Sequence, residues 1–323
     1  NDPLQYISAC NLFLRSTWNN PIEKYNFQLK NLFRNNRSIN HISLVGAIMP
    51  RPYVVHFVGD LPGLGEELLH KLVCNNIQCS IVDGWYDLLM AKLSTELEIF
   101  AEKPCLFQEG SVNSTDVLLY FGLNGQAIDF DFLTRISSKV VLLVNGEITV
   151  QTDNDRVKVI YVHDLISYST ISNLRNESLD KLLNLCQHSG SNPKFQSNTK
   201  YWWVSQQDVA ACLARLVDNL DLLSPATNIC GRRGWSEQET FNQLELLYHR
   251  TIAGSSGKFQ PTHLASKPVI EPTPIKASQI TPSSRPDLSN INRALHELDG
   301  EGWRPLMPLR TSLMHYIAAV NLD

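Results

Sequence analysis

Apolar residues in this chain come in short unbroken runs separated by stretches of helical spacing. Tyr53-Val-Val-His-Phe-Val58 is a run of β-formers, as a strand buried on both faces requires. Glu66 to Val73 then carries Leu68, Leu69, Leu72 and Val73 at helical spacing, and Gln78-Cys-Ser-Ile-Val-Asp83 reads as a second strand ending in a carboxylate. A helix is expected over 86–101, with Leu88, Leu89, Leu93 and Leu97 on one side. Further buried-type strands follow at Asp116–Gly122, Lys139–Val144 and Arg156–Val162, with a short helix from Asp129 to Ile136. Helices are predicted over Ser178–Gln187, Asp208–Val217, Ser236 to about Tyr248, and Asp287–Leu298, the last capped by Asp287 or Ser289. Ser236-Glu-Gln-Glu239 has the spacing of a capping box. Strands alternating with helices imply an α/β fold with a mostly parallel sheet.

The first 50 residues are polar and Asn-rich with scattered aromatics, and read as an N-terminal helical extension. Residues 51–323 read as the main α/β domain. Residues 254–286 hold six prolines and form a long irregular arm, a length that in a compact domain points to function or mobility.

Composition narrows the function classes. A net charge of -4 with no basic stripe argues against a nucleic-acid binder. Seven cysteines without a CxxC pair sit mostly in apolar runs and read as reduced, hence a cytoplasmic chain. No apolar run approaches the length of a membrane span. The histidines are scattered, so no metal site is expected.

The candidate chemistry lies in Gly59-Asp-Leu-Pro-Gly-Leu-Gly65, between the first strand and its helix. A glycine-rich turn there permits positive φ and lets the backbone approach a pyrophosphate at the helix N-terminus. Gly59, Gly63 and Gly65 are the cradle candidates. Asp83, 24 residues after Gly59, is the candidate acceptor for an adenosine ribose hydroxyl, which favours NAD over NADP. Two residues oppose this: Pro62 removes a donor, and Asp60 sets an acid beside the phosphates.

Four stretches together resemble the extended short-chain dehydrogenase/reductases, the epimerase/dehydratase-like family. Val55-His-Phe-Val-Gly-Asp-Leu-Pro-Gly-Leu-Gly-Glu-Glu-Leu is similar to its glycine-rich start, with Pro62 at the middle glycine of GxxGxxG. Tyr201-Trp-Trp-Val-Ser-Gln-Gln-Asp-Val-Ala210, Ala226-Thr-Asn-Ile-Cys-Gly231, and Arg285-Pro-Asp-Leu-Ser-Asn-Ile-Asn-Arg-Ala-Leu followed by Gly302-Trp-Arg-Pro305 resemble later signatures in the family's order. The resemblance implies a Rossmann-like, doubly wound, mostly parallel fold over 51–323 with a small, interwoven C-terminal α/β substrate lobe (about 178–205 and 226–323). It also implies a Tyr-x-x-x-Lys pair on a helix after the fifth strand, which puts both groups on one helix face. No Tyr in this chain has Lys four residues later. The polar gap Gly146–Asp155 is too short for that helix and its loops, and is a length at which the flanking strands could pair as a hairpin. No catalytic residue is therefore assigned. The leading expectation is a catalytically degenerate scaffold or interaction subunit in a larger assembly, with or without bound NAD(H). The rivals are an active sugar-nucleotide enzyme using displaced groups such as Tyr161, Tyr168 or His163, and an NAD(P) redox sensor.

Overall fold

The computed structural model describes residues 53–98, 103–125, 129, 132–133, 135, 139–150, 154, 156–188, 195, 199–264 and 285–320. The expected N-terminal extension and most of the Pro-rich arm lie outside them. In chain order the elements are β1 (Val55–Gly59), α1 (Leu64–Cys74), β2 (Cys79–Ile81), α2 (Asp83–Lys92), α3 (Ser94–Leu97), β3 (Cys105–Leu106), β4 (Val117–Gly122), β5 (Lys139–Asn145), β6 (Val157–Val162) and β7 (Leu165–Ile166). They continue with α4 (Glu177–Gln187), β8 (Lys200–Tyr201), β9 (Val204–Ser205), α5 (Gln206–Leu216), β10 (Ala226–Ile229), β11 (Trp235–Ser236), α6 (Glu237–Ser255), α7 (Ser289–Asp299) and α8 (Leu309–Val320).

Seven strands form one sheet in the order β10-β6-β5-β4-β1-β2-β3, and every pairing in it is parallel. The strand order reverses between β1 and β4, which makes the carboxyl ends of these strands the topological switch point. Alternate residues serve opposite faces. Phe57, Leu119, Phe121, Val141 and Ile160 join the apolar sides of α1, α2, α5 and α7 in one core. Val58, Leu118, Val140, Leu142, Val144, Val157 and Val159 build a second core on the other face. A third core joins α4, α6 and α8 through Leu182, Phe241, Leu244, Leu313, Tyr316 and Ile317.

Several expectations are corrected. β5 and β6 are parallel, in register from Val140↔Val157 to Asn145↔Val162, so they are not a hairpin. The chain crosses from one to the other in residues 146–156, and the described residues of that link are turn and coil. The link from β3 to β4 is equally short, with only a 3₁₀ turn at Glu109–Ser111. The helix expected over 86–101 starts earlier, at Asp83, and breaks after Lys92. Of the helix expected at 129–136, Phe132, Leu133 and Arg135 are helical, Asp129 is not, and the rest is outside the described residues. Neither expected residue caps α7: the N-cap position is Leu288, with no side-chain cap, and Asp287 one residue earlier accepts from the Ser289 N–H at 2.9 Å in a local turn. The capping box is formed, with Ser236 Oγ accepting from the Glu239 N–H and Glu239 accepting from the Ser236 N–H, but α6 runs to Ser255. Ser236→Ala is expected to cost about 1 kcal/mol, read as a lower midpoint in chemical denaturation with an unchanged slope.

Candidate functional site

The glycine-rich turn lies where the sequence places it, between β1 and α1 at the switch point. Gly59 has φ +93°, and an added Cβ would come within 3.0 Å of the Phe121 carbonyl oxygen on β4. The Asp60 N–H donates to that same oxygen at 2.8 Å. Glycine at 59 thus serves the close approach of two central strands. Gly63 has φ +91°, and its Cβ would come within 3.0 Å of Ser167 Oγ and stand 3.4 Å from Gln206 Oε1. Gly65 packs on Leu61, whose side-chain carbons would lie 3.2 Å from an added Cβ. Asp83 does not end β2 as expected: it stands two residues beyond that strand, exposed at the first position of α2. The four candidates therefore gather at one end of the sheet, around the ends of β1 and β2.

The surroundings of this turn were not legible in the sequence. Leu61, Pro62, Gly63, Leu64 and Gly65 are all buried. Over Gly63 lie Ser167, which follows β7, and Gln206, the first residue of α5. Gln206 Oε1 accepts from the Tyr168 N–H at 2.7 Å, and the Tyr168 hydroxyl lies 2.8 Å from Ser205 Oγ. The Tyr168 ring packs on His315 of α8 with centroids 5.1 Å apart. Burial raises the Tyr168 phenol above its usual range and lowers His315 below its own. At the other end of the turn, Trp85 of α2 donates its indole N–H to the Gly59 carbonyl at 2.9 Å. Burial also raises the Asp60 carboxyl.

A dinucleotide needs turn N–H groups facing open space and room for its diphosphate. Here Ser167 and the acceptor oxygen of Gln206 stand against Gly63, Pro62 offers no donor, and Asp60 adds a carboxyl. These residues do not fit the group. The nearby cleft at the carboxyl ends of β5 and β6, lined by Leu123, Asn145, Val162, Asp164, Ser167 and Arg175 among others, has about 50 Å³ of free volume. Small-molecule sites are usually several-fold larger, roughly 300–1,000 Å³.

The displaced catalytic candidates are committed elsewhere and to different partners. Tyr161 donates its hydroxyl to the Val150 carbonyl at 3.2 Å. His163 Nε2 lies 2.9 Å from Asn228 Oδ1, and its ring packs on Gly146. Asp164, at φ +49°, accepts from the Trp202 N–H at 2.6 Å, and burial raises its carboxyl despite that bond. The end of β5 holds Asn145, whose side chain accepts from the Glu147 N–H at 3.2 Å. Trp203 is 6% exposed and donates to Thr240 Oγ1, so this aromatic is core.

A second polar cluster is fully inside. His56 Nδ1 lies 2.6 Å from Ser80 Oγ, and its Nε2 3.2 Å from Asp116 Oδ2. The carboxylate also accepts from the N–H groups of Val54 at 2.9 Å and Asn113 at 2.7 Å. The order Ser, His, Asp is that of a hydrolytic triad, but all three are 1–2% exposed, so no substrate reaches the serine. Burial holds the His56 imidazole below its ordinary value against the pull of Asp116. Burial pushes Asp116 up, but its hydrogen bonds outweigh this and keep the carboxyl below the usual range. The cluster is a structural tie between β1, β2 and β4.

Among the described residues no group of three or more His, Cys, Asp or Glu could hold a metal, and no helix is long and apolar enough to cross a membrane. No protein-family model matches the sequence. No curated protein matches it either. Solved structures do match by fold. Gre2 of Candida albicans, in complex with NADPH, is 12% identical over 84% of this chain and 99% of its own, with a TM-score of 0.51. WbmF of Bordetella bronchiseptica, in complex with NAD+ and UDP, is 13% identical over 83% and 92%, with a TM-score of 0.48. The likeness to Gre2 is one of fold: a mostly parallel, Rossmann-like α/β sheet with flanking helices.

Proposed function

We propose that this chain is a non-catalytic, epimerase/dehydratase-like Rossmann protein that works as a binding subunit for a protein partner. One observation carries the non-catalytic part: parallel neighbours β5 and β6 are joined by residues 146–156, whose described residues are turn and coil. A catalytic helix at that crossover would need about a dozen residues with its loops. The chain has no Tyr-x-x-x-Lys pair to place on one. Nor do Tyr161, Tyr168 and His163 supply a substitute, since each is held by a separate partner. The binding role is argued from what is left of the scaffold. Among the described residues the sheet and its cores form without catalytic groups, and the sequence offers two long polar or Pro-rich stretches, residues 1–50 and 254–286, as candidate docking segments.

The full-length chain is expected to show no turnover of nucleotide sugars with NAD(H) or NADP(H), followed at 340 nm and by product chromatography. It is also expected to retain a specific, saturable partner in co-purification from its native source. Substrate-dependent hydride transfer or epimerisation would overturn the non-catalytic reading. A chain that stays an unaccompanied monomer in that co-purification would overturn the binding role.

A further inference from the structure

The misfit at the glycine-rich turn has a positive side. Three side chains from distant parts of the chain, Trp85, Ser167 and Gln206, converge on it. We infer that the turn is a closed fastener and not a dinucleotide cradle: Ser167 and Gln206 fill the diphosphate position beside Gly63, and Trp85 fills the nucleoside position beside Gly59.

Geometry supports each half. A diphosphate at this turn must stand against the helix-proximal glycine, close to the first N–H groups of α1. That space holds Ser167 Oγ, so near Gly63 that even a methyl group there would collide with it. Gln206 is 6% exposed, and the Tyr168 N–H fixes its carbonyl oxygen in place. Ser167 thus obstructs a phosphate by its position, and the Gln206 oxygen beside it is an acceptor, which repels one. A nucleoside ribose would bridge Asp83, past the end of β2, to the turn after β1. Trp85 makes that bridge itself: it stands two residues beyond Asp83 on α2 and bonds to the Gly59 carbonyl. The fastener also has a mechanical role. Ser167 and Tyr168 belong to the segment after β7, Gln206 opens α5, and His315 is on α8. Through them the turn of the sheet domain is tied to the helix that belongs to the α4–α6–α8 core.

The inference goes beyond the non-catalytic reading and is tested apart from it, because no turnover is measured. Calorimetry of the full chain with NAD+, NADH, NADP+ and NADPH at millimolar concentration is expected to give no saturable binding. Saturable binding that Asp83→Ala abolishes would overturn the inference and leave the non-catalytic reading standing. The ligand-free chain gives a second reading. Ser167→Leu is expected to lower its melting temperature by about 3–8 °C, the cost of overpacking a filled site. An open cradle would lodge the leucine, so an unchanged melting temperature would overturn the inference. Should Ser167→Leu not fold, Ser167→Thr adds one methyl group and reads the same quantity in a smaller step.

Discussion

Gly59→Ala is expected to lower the melting temperature of the ligand-free chain by roughly 6–12 °C, equivalent to about 3 kcal/mol for a domain of this size. Two independent costs add. At φ +93° an L side chain is strained wherever it points. The new Cβ would also press on the Phe121 carbonyl oxygen, which already accepts from the Asp60 N–H. Relief would need β1 and β4 to part, yet they are central neighbours paired from Val55↔Val117 to Gly59↔Phe121. A side-chain neighbour could rotate away, whereas a backbone oxygen in a parallel ladder cannot. Gly65→Ala should be milder, since its nearest contacts would be the Leu61 side chain at 3.2 Å. Thermal unfolding of the two variants without nucleotide measures the difference. Equal and negligible shifts would mean that the glycines answer to a ligand instead of to the sheet.

This bears on how much of the molecule could be read from its sequence. The sheet was legible because parallel strands buried on both faces leave unbroken runs such as Val-Leu-Leu-Tyr-Phe over 117–121 and Val-Val-Leu-Leu-Val over 140–144. The shortness of the link between β5 and β6 was legible as a plain count of residues between two such runs. The antiparallel alternative arose because pairing direction leaves no mark in a short polar link. α8 carries a usable signal, Leu313, Tyr316 and Ile317 at helical spacing, that sequence reading passed over. The glycine turn was placed correctly, but a glycine is silent on what needs it. Gly59 answers to Phe121 and Gly63 to Ser167, residues 62 and 104 positions away along the chain. Trp85, Ser167 and Gln206 form no local pattern, so only the folded chain shows that they meet. The same holds for His56, Ser80 and Asp116, which are joined only by strand pairing.

That last cluster carries the other large effect. Asp116→Ala is expected to destabilise the fold by about 3–5 kcal/mol, the usual cost of leaving buried polar groups without their charged partner. The carboxylate is 1% exposed and takes three donors: the N–H groups of Val54 and Asn113 and the His56 ring. Truncation takes the acceptor from all three, and leaves the His56 ring, itself 2% exposed, without its carboxylate. The cluster also sets a pH dependence. Burial favours the neutral His56 imidazole, and beside the ionised Asp116 that places the proton on Nε2 and leaves Nδ1 to accept from Ser80. Burial holds its pKa in the folded chain below the free value of about 6.5. Between those two values the unfolded chain binds the proton and the folded chain does not, so stability falls on acidification through that window and levels off below the folded pKa. His315, lowered by burial, adds a slope of the same sign. Asp116 acts only at lower pH, where protonation below the usual carboxylate range removes its contribution. Urea denaturation between pH 7.5 and 5 should show the loss, and His56→Asn should flatten the part due to this site while lowering stability throughout. A slope that steepens in His56→Asn would mean that the imidazole is charged in the folded chain and that the pair is an ion pair, because the folded chain would then hold the proton more tightly than the unfolded one. In that case Asp116→Ala would cost more at pH 5 than at pH 7.5.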